Sequence, residues 1–506
     1  MIKANSSMSP MKYSILCCLS ILLLPKLAAQ TMGARLVDAK TQKGIPYATV
    51  QYGPNLGVIS NGEGRFSFVL ETGSPRPDSI HISSMGYGKK GFALEQLRDS
   101  LLFLEPMAIE LQGVYLFDRD LEVADIIERM KQRLPENINN SAVKQRIFLR
   151  KSNLTDIDKL DMGFEESTIA ELDKELIDSL ANSVPKRSHH YTESLLDLYK
   201  RGTDHKLHII KAAELYNKNQ VASLEELGKR MEDIFKENIK RNSYLKIKSG
   251  LFSQKVQVDS ILGSMEEEDA DKAGTLVKKD SISGLLDSQK SSIRELLGEL
   301  YYREDSKLDL IDKTKRYEFE LAGYSEIDGE GVYVVDFAPK RGSADFKGRL
   351  FINIEDFAVM HLDFENTQRL RNFRLLGITF REDRYMGSVR FTKLSNGRYE
   401  LKFLDLTKGH YLAVDRPLKV VEKNKHVKGR RKQNELSLNL DFRMRPTEKW
   451  ELVVYGQELI DPTILSNFKE DKRAKATYMP SYDPNFWEGH NIMEPNRALR
   501  GFKGVE

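Results

Sequence analysis

Nine histidines, two cysteines and a dense population of carboxylates are the residues of this 506-residue chain equipped for chemistry. Zinc hydrolysis needs histidine and carboxylate ligands on one face of an element with a general base beside them. No histidine opens an H-E-x-x-H motif. His190-x-x-Glu193 has a spacing found in metal sites, but no histidine follows Glu193 to complete it. His189 and His190 form the one adjacent pair, at an expected helix start. His205 and His208, three apart, would share a helix face. All four are expected to be solvated side chains. A serine hydrolase of the G-x-S-x-G type is excluded by the lack of that motif. The acidic run at 266–271 has Gly274 beyond it and no closing Glu, so it is expected to be a connector and not a calcium loop. Catalytic, cofactor and metal residues are therefore expected to be none.

Cys17 and Cys18 are the only cysteines, and both fall where a leader is expected. Lys3 and Lys12 precede an apolar run at 13–24, then Pro25 and Ala28-Ala29-Gln30. This is the layout of a secretory signal peptide over residues 1–30, with Met1 or Met11 as its start. Leu16 stands where a lipobox requires a small residue, which argues against lipid attachment at Cys17. Removing residues 1–30 takes away Lys3, Lys12 and Lys26 and no acid, so 78 basic against 75 acidic residues becomes an even balance. An evenly charged mature chain has no global attraction for nucleic acid. A mature chain without cysteine depends on packing and not on disulfides. No later apolar run reaches the length of a membrane-spanning helix. An exported protein of the periplasm or outer-membrane periphery of a Gram-negative bacterium is the expectation.

The elements that would position such residues fall into blocks. Residues 33–114 read as seven or so short alternating strands, at 34–37, 47–52, 58–59, 65–70, 79–84, 101–104 and 109–114, the pattern of a small sandwich. Four landmarks occur in order: Gly33-x-x-x-Val37-Asp38, Thr41-x-x-Gly44-x-Pro46-x-Ala48-x-Val50, Ser60-Asn61-x-x-Gly64-x-Phe66 and Ile82-Ser83-x-x-Gly86-Tyr87. With them the segment resembles the carboxypeptidase-like regulatory domain, a transthyretin-like sandwich frequent at the N-terminus of exported proteins of Gram-negative bacteria. The resemblance implies structural roles only: Pro46, Ala48, Val50, Asn61, Gly64, Phe66, Gly86 and Tyr87 build turns and core. Gly64 permits a hairpin, Phe66 fills the core, and Gly86-Tyr87 closes a later strand. Many members carry Thr-Asp where this chain has Ser60-Asn61, and the turn chemistry survives that change.

Residues 120–255 read as α-rich. Val123, Ile126, Ile127 and Met130 make an amphipathic stripe ended by Pro135; 143–150 is a strand; stripes at 169–180, 195–198 and 221–235 follow. The helix-then-strand order resembles an uncharacterised family of secreted bacterial proteins, as do Phe337-x-Pro339, Gly348-x-Leu350-Phe351-Ile352 and Asp356-Phe357-Ala358. Residues 256–300 read as a polar mobile connector. From 310 to 460 the period becomes two, with strands at 317–321, 332–337, 345–353, 358–364, 386–391, 399–404, 435–442 and 450–455 and a hairpin at Asn396-Gly397. The strands lack the aromatic girdles of a membrane barrel. Strand order and spacing resemble the open half-barrel of periplasmic lipoprotein carriers. The fold class is mainly β with α: an N-terminal transthyretin-like β-sandwich, a helical middle region and a C-terminal large curved antiparallel sheet, with 461–506 as an extended tail.

Two surface features remain. Residues 416–432 hold eight basic residues and one acid, Glu422. Lys423, Lys425, Lys428, Arg430, Arg431 and Lys432 would draw the protein to an anionic surface if they point one way, and otherwise form a solvated hairpin tip. Without interleaved aromatics the run does not fit nucleic-acid stacking. In the tail, Phe486 and Trp487 would dock onto the body or contact a partner. The functional reading is a non-enzymatic envelope binding or scaffolding protein, whose partner is an envelope protein or an anionic lipid surface. The alternatives are a lipid or ligand carrier using the C-terminal sheet, or a secreted hydrolase.

Overall fold

The computed structural model describes residues 30–53, 56–70, 76–84, 86–106, 121–250, 252–260, 284–304, 306–340, 342, 344–427, 429 and 431–504. Residues 1–29 of the expected signal, the strand expected at 109–114, the acidic run at 266–271, Lys428 and Arg430 lie outside them.

Alternating apolar residues fold the N-terminal segment into seven strands: β1 (Gln30–Asp38), β2 (Thr49–Gly53), β3 (Leu56–Ile59), β4 (Arg65–Leu70), β5 (Ser79–Ser83), β6 (Lys90–Ala93) and β7 (Arg98–Leu104). They make two sheets, β4-β1-β7 and β3-β2-β5-β6, with β1 and β7 parallel and the other pairs antiparallel. Every second residue points inward, so Leu36, Ala48, Val50, Phe66, Phe68, Ile80 and Ile82 share one core. The turn into β4 is set by Asn61, whose Oδ1 accepts from the N–H groups of Glu63 and Arg65. Gly64 follows at φ +82°, where a Cβ would stand 2.3 Å from the Leu36 carbonyl oxygen; only glycine fits.

The rest of the chain builds one 14-stranded sheet. Its elements are α1 (Val123–Asn137), β8 (Val143–Ser167), α2 (Lys174–Ser183), β9 (Arg187–Arg201), β10 (Asp204–Leu215), α3 (Lys218–Asn238), β11 (Ser243–Ser249), β12 (Phe252–Gln257), α4 (Leu285–Gly298), β13 (Tyr317–Ile327), β14 (Glu330–Pro339), β15 (Phe346–Asn353), β16 (Val359–Asn366), β17 (Arg371–Leu375), β18 (Ile378–Lys393), β19 (Tyr399–Asn424), β20 (Lys432–Leu459), α5 (Pro462–Asn467), β21 (Thr477–Tyr478) and α6 (Arg497–Arg500). The spatial order is β13-β14-β15-β16-β18-β19-β20-β8-β9-β10-β21, with β17 on β18 and the β11–β12 hairpin on the far end of β19. The chain is mainly β with α.

Several segments differ from the sequence expectation. The middle region holds three helices, but β8, β9 and β10 cross it as members of the large sheet. Leu195, Leu196 and Leu198 lie on β9, not on a helix: Leu196 and Leu198 face one layer and Leu195 the other. A strand covered on both faces reads as an unbroken apolar run, which periodicity cannot distinguish from a helix stripe. His190, His205 and His208 are therefore strand residues, and three-residue spacing puts His205 and His208 on opposite faces. Pro135 lies within the last turn of α1, which continues to Asn137. Residues 285–298 of the expected connector are α4, packed through Leu286, Ile293, Leu296 and Leu297. The strands expected at 435–442 and 450–455 are one, β20. Pro446 sits where the β19–β20 ladder skips from Gly409–Thr447 to Leu412–Met444, so its missing N–H costs no bond on that side.

The sheet is covered twice. Ile126, Ile127 and Met130 of α1 and the apolar stripe of α4 pack on one face, against Ile147, Leu149, Leu196, Leu404, Leu406, Leu452 and Val454. The sandwich and the C-terminal tail lie on the other, where Phe148, Leu195, Phe403 and Val453 meet Ile59, Trp487, Met493 and Leu499. Among the described residues no helix is long and apolar enough to cross a membrane.

Candidate binding site at the sandwich–sheet seam

Strand registry brings together residues that are far apart in sequence. On the sandwich side of the large sheet, Glu193, Arg150, Glu451, Asp405, Ser388, Asp363, Arg349 and Asp336 are each the direct cross-strand neighbour of the next, forming a single polar row over eight strands. At the β9 end the row is dry. Arg150 is 1% exposed and Glu193 is fully buried. The Arg150 guanidinium donates to Glu193 at 2.6 Å and to the Met493 carbonyl at 2.7 Å, and lies 3.4 Å from Glu451. The Trp487 indole N–H donates to the other Glu193 oxygen at 2.9 Å. Lys449 continues the alternation, 3.0 Å from Glu451 and 2.9 Å from Asp405, which also accepts from the Tyr47 hydroxyl of the sandwich at 2.7 Å.

Burial and charge compete along this row, and the outcome differs by position. Burial raises Glu451, but Arg150 and Lys449 outweigh it and hold its carboxyl below the usual range. Burial lowers Lys449, but Glu451 and Asp405 raise it further. Asp405 moves up, because burial and Glu451 exceed the help from Lys449 and Tyr47. The Tyr47 phenol is driven far up by burial and Asp405.

At its β16 end the row opens into a cavity of about 330 Å³ between the two units. Ile45, Pro46, Tyr47, Ser84, Gly86 and Tyr87 form the sandwich wall; Val334, Phe351 and Phe403 give the sheet wall its apolar part. Arg349, His361, Asp363, Ser388 and Arg390 supply the polar groups. Arg349 is held by Asp336 at 2.5 and 2.8 Å, and Arg390 by Asp328 at 2.7 Å and by Thr49 Oγ1. The Arg390 Nε is buried without a partner. His361 is 3% exposed; its Nε2 lies 2.9 Å from Asp363 Oδ1, and its Nδ1 is buried without a partner. Burial raises the Asp363 carboxyl, yet His361, Ser388 and Arg349 together outweigh it and its net shift is downward. Ser388 is the cross-strand neighbour of Asp363 and hydrogen-bonds to its carboxylate, and His361 is registered with Arg390.

Three of the landmark residues, Pro46, Gly86 and Tyr87, line this cavity, and the Tyr87 hydroxyl donates to Asp38 at 2.7 Å. Ala48, Val50 and Phe66 are core, and Gly64 forms the turn. Asn61 also reaches the tail, donating to the carbonyls of Glu494 and Pro495 at 3.2 and 3.1 Å. Asn491, Arg497 and Arg500 add bonds from tail to sandwich, to Val69, Tyr52 and Glu63. Trp487 is 3% exposed against Phe148, whereas Phe486 is partly buried beside it under the Lys211 ammonium.

The basic segment is partly neutralised. Lys425 pairs with Asp259 and Lys432 with Glu435, while Lys423 lies within β19 opposite Lys432. Arg431 is exposed. Lys419 and Lys432 draw Glu435 down to about 2 against the effect of burial. The histidines do not assemble: His205 contacts the carbonyls of Thr203 and Lys290, and Glu193 is taken by Arg150 and Trp487. Among the described residues no group of three or more His, Cys, Asp or Glu side chains is arranged to hold a metal ion. The row itself was missed in the sequence; its one local signal is a charge embedded in apolar strand interior, as in Ile147-Phe148-Leu149-Arg150.

No protein family matches the chain, and no curated protein matches it. Among solved structures it is similar to a putative outer membrane lipoprotein-sorting protein domain from Vibrio parahaemolyticus (7% identity over 68% of this chain and 97% of that one, TM-score 0.19). It is similar also to a LolA superfamily protein from Nitrosomonas europaea (10%, 68% and 98%, TM-score 0.17) and to a DUF1329 family protein from Desulfovibrio piger (10%, 68% and 95%, TM-score 0.17). TM-scores this low carry no argument.

Proposed function

We propose that this chain is an exported, non-enzymatic binding or carrier protein of the bacterial envelope that holds a small ligand in the seam between sandwich and sheet. The observation that carries the reading is the cavity of about 330 Å³ with walls from both units, near the lower end of the range for small-molecule sites. Its size favours a compact molecule over a lipid with several chains. The buried Arg390 Nε–H is a donor without a partner, and His361 has unmet capacity. Phe351, Phe403 and Val334 supply an apolar wall. A ligand with a carboxylate-like acceptor at one end and a short apolar body matches that lining. The helix-covered face offers less: the crevice bounded by Met130, Leu134, Phe357 and Tyr399 is too small for a water.

Calorimetric titration with a series of straight-chain carboxylates, octanoate among them, tests the reading. Saturable binding that falls at least tenfold in both Arg390→Leu and His361→Phe is expected, with melting temperature reporting the fold of each variant. Failure of every carboxylate to bind, or equal binding by folded variants, would overturn it.

A further inference from the structure

A second surface lies away from the seam, where β19 runs on beyond the body of the sheet. Two hairpins pair with the same edge of β19 and meet tip to tip. Ile378–Glu382 of β18, carrying β17, pairs with His410–Val414, and β11, carrying β12, pairs with Lys419–Asn424. Arg416 lies between them. Its guanidinium donates to the Ser249 carbonyl and stands 5.1 Å from the Phe252 ring centroid, while a Cβ on Gly377 would be 3.1 Å from its Cγ.

Both tips expose apolar side chains. Phe252, Phe373, Leu375, Leu376 and Ile378 are 36 to 49% exposed, five large hydrophobics around one junction. Single exposed hydrophobics are ordinary, but a contiguous group marks an interaction surface. The backbone gives a second, independent indication. Leu376 has φ +47° and Gly377 φ +80°, the two-residue turn that normally selects Asn-Gly. A bulky leucine in the left-handed region is strained and, here, exposed as well. Folding gains nothing from that choice at this position.

The charge around the tip identifies the occupant. Residues 369–384 carry five arginines against two acids. Arg369 and Arg381 share Asp383, Arg371 lies 3.9 Å from Glu382, and Arg374 has no ion pair among the described residues. On the β17–β18 ribbon, Phe373 pairs with Phe380 and Leu375 with Ile378, while the alternate positions hold Arg374 and Arg381. Next to the turn one side is apolar, with Arg371 and Glu382 farther along it, and the other side carries Arg374 and Arg381, as in elements that lie in a bilayer interface with arginines among the headgroups. We infer that the 375–378 tip and the neighbouring Phe252 form a membrane-contact surface that inserts Leu375, Leu376 and Phe252 into an anionic lipid leaflet, with the arginines held by the headgroups.

The test uses the full chain and vesicles of phosphatidylcholine, with or without one-third phosphatidylglycerol, in co-sedimentation and by fluorescence of Phe373→Trp. Binding to the anionic vesicles alone and a blue shift of the introduced tryptophan are expected. Phe373→Ser/Leu375→Ser/Leu376→Asn should lower binding at least tenfold, and Arg371→Gln/Arg374→Gln severalfold. Leu376→Asn by itself keeps the experiment clear of misfolding, because Asn suits the turn and should raise the melting temperature while weakening binding. No binding, equal binding to neutral vesicles, or unchanged binding by the folded triple variant would overturn the inference. Self-association lost in the triple variant, without vesicle binding, would also overturn it and point to a second copy as the occupant.

Discussion

The two faces of the large sheet solve the same problem in opposite ways. Under α1 and α4 the contact is leucine, isoleucine, valine and aromatic side chains in close packing. Under the sandwich and tail it is a row of alternating charge, with apolar residues around it and a cavity at one end. Apolar burial is non-directional and adds roughly with area. A buried ion pair contributes little net stability, because desolvation offsets attraction, but it penalises any misalignment. The helix face therefore supplies cohesion. The seam aligns the strands of the sheet, ties the sandwich to them through Tyr47 on Asp405 and Thr49 on Arg390, and keeps the Arg390 Nε–H unmet.

The largest effect should come from breaking the dry end of the row. Arg150→Met leaves Glu193 buried without its cation and Glu451 with Lys449 alone, and a loss of about 3–5 kcal/mol is expected in urea unfolding. Arg150→Met/Glu193→Gln/Glu451→Gln should recover a good part of it, whereas recovery of none would mean the arginine acts through packing and its bonds to the tail. On the opposite face, Leu296→Ala should cost about 2–5 kcal/mol through a cavity. The two variants separate in their response to acid. Glu451 is held below its unfolded value, so its contribution is complete above that value and disappears as the pH falls through the folded one. The Leu296→Ala penalty should stay constant over that window, while the penalty for Arg150→Met should shrink.

The smallest effect lies at the wet end. Lys402, beside Arg390 and Asp328, is lowered to about 8 by burial and by the Arg390 charge. Between that value and an unfolded value of about 10.4 the unfolded chain keeps a proton that the folded chain has released. Stability should therefore rise with pH across that window, by up to about 3 kcal/mol. Lys402→Met should flatten the rise; melts from pH 7.5 to pH 10 would show whether it does.

The comparison also explains what the sequence disclosed. The sandwich strands and most of β13 to β20 announce themselves by alternation, because one face of each is wetter than the other. β9 does not, since both of its faces are covered, and α4 is disguised by Asp287, Ser288, Ser291, Arg294 and Glu295 on its outer side and by the buried Gln289 and Ser292. The seam is harder still. Arg150, Glu193, Asp405 and Glu451 have no spacing in common, because their proximity is a product of register between strands, with 43 residues separating Arg150 from Glu193 and 301 separating it from Glu451. Pro46, Gly86 and Tyr87 were legible as turn and core landmarks, and nothing local says that they also wall a cavity. Gly64 is the opposite case, since its turn is written in the four residues 61–64.

Asn61 and Glu494 touch across 433 residues of chain. A contact of that range is late to form, because its loop must close before it gains anything, and topologies rich in such contacts fold slowly. As the chain emerges from its N-terminal end, the sandwich is available from the beginning, but its last fastenings arrive with residues 491–500. Until then the wall that Pro46, Tyr47 and Tyr87 give to the cavity is held to the sheet by Tyr47 on Asp405 and Thr49 on Arg390, without the bonds from the tail. The last residues of the chain thus act as a fastening on a joint already laid down, and a molecule truncated before Asn491 would lack every bond that Asn491, Glu494, Pro495, Arg497 and Arg500 make to the sandwich.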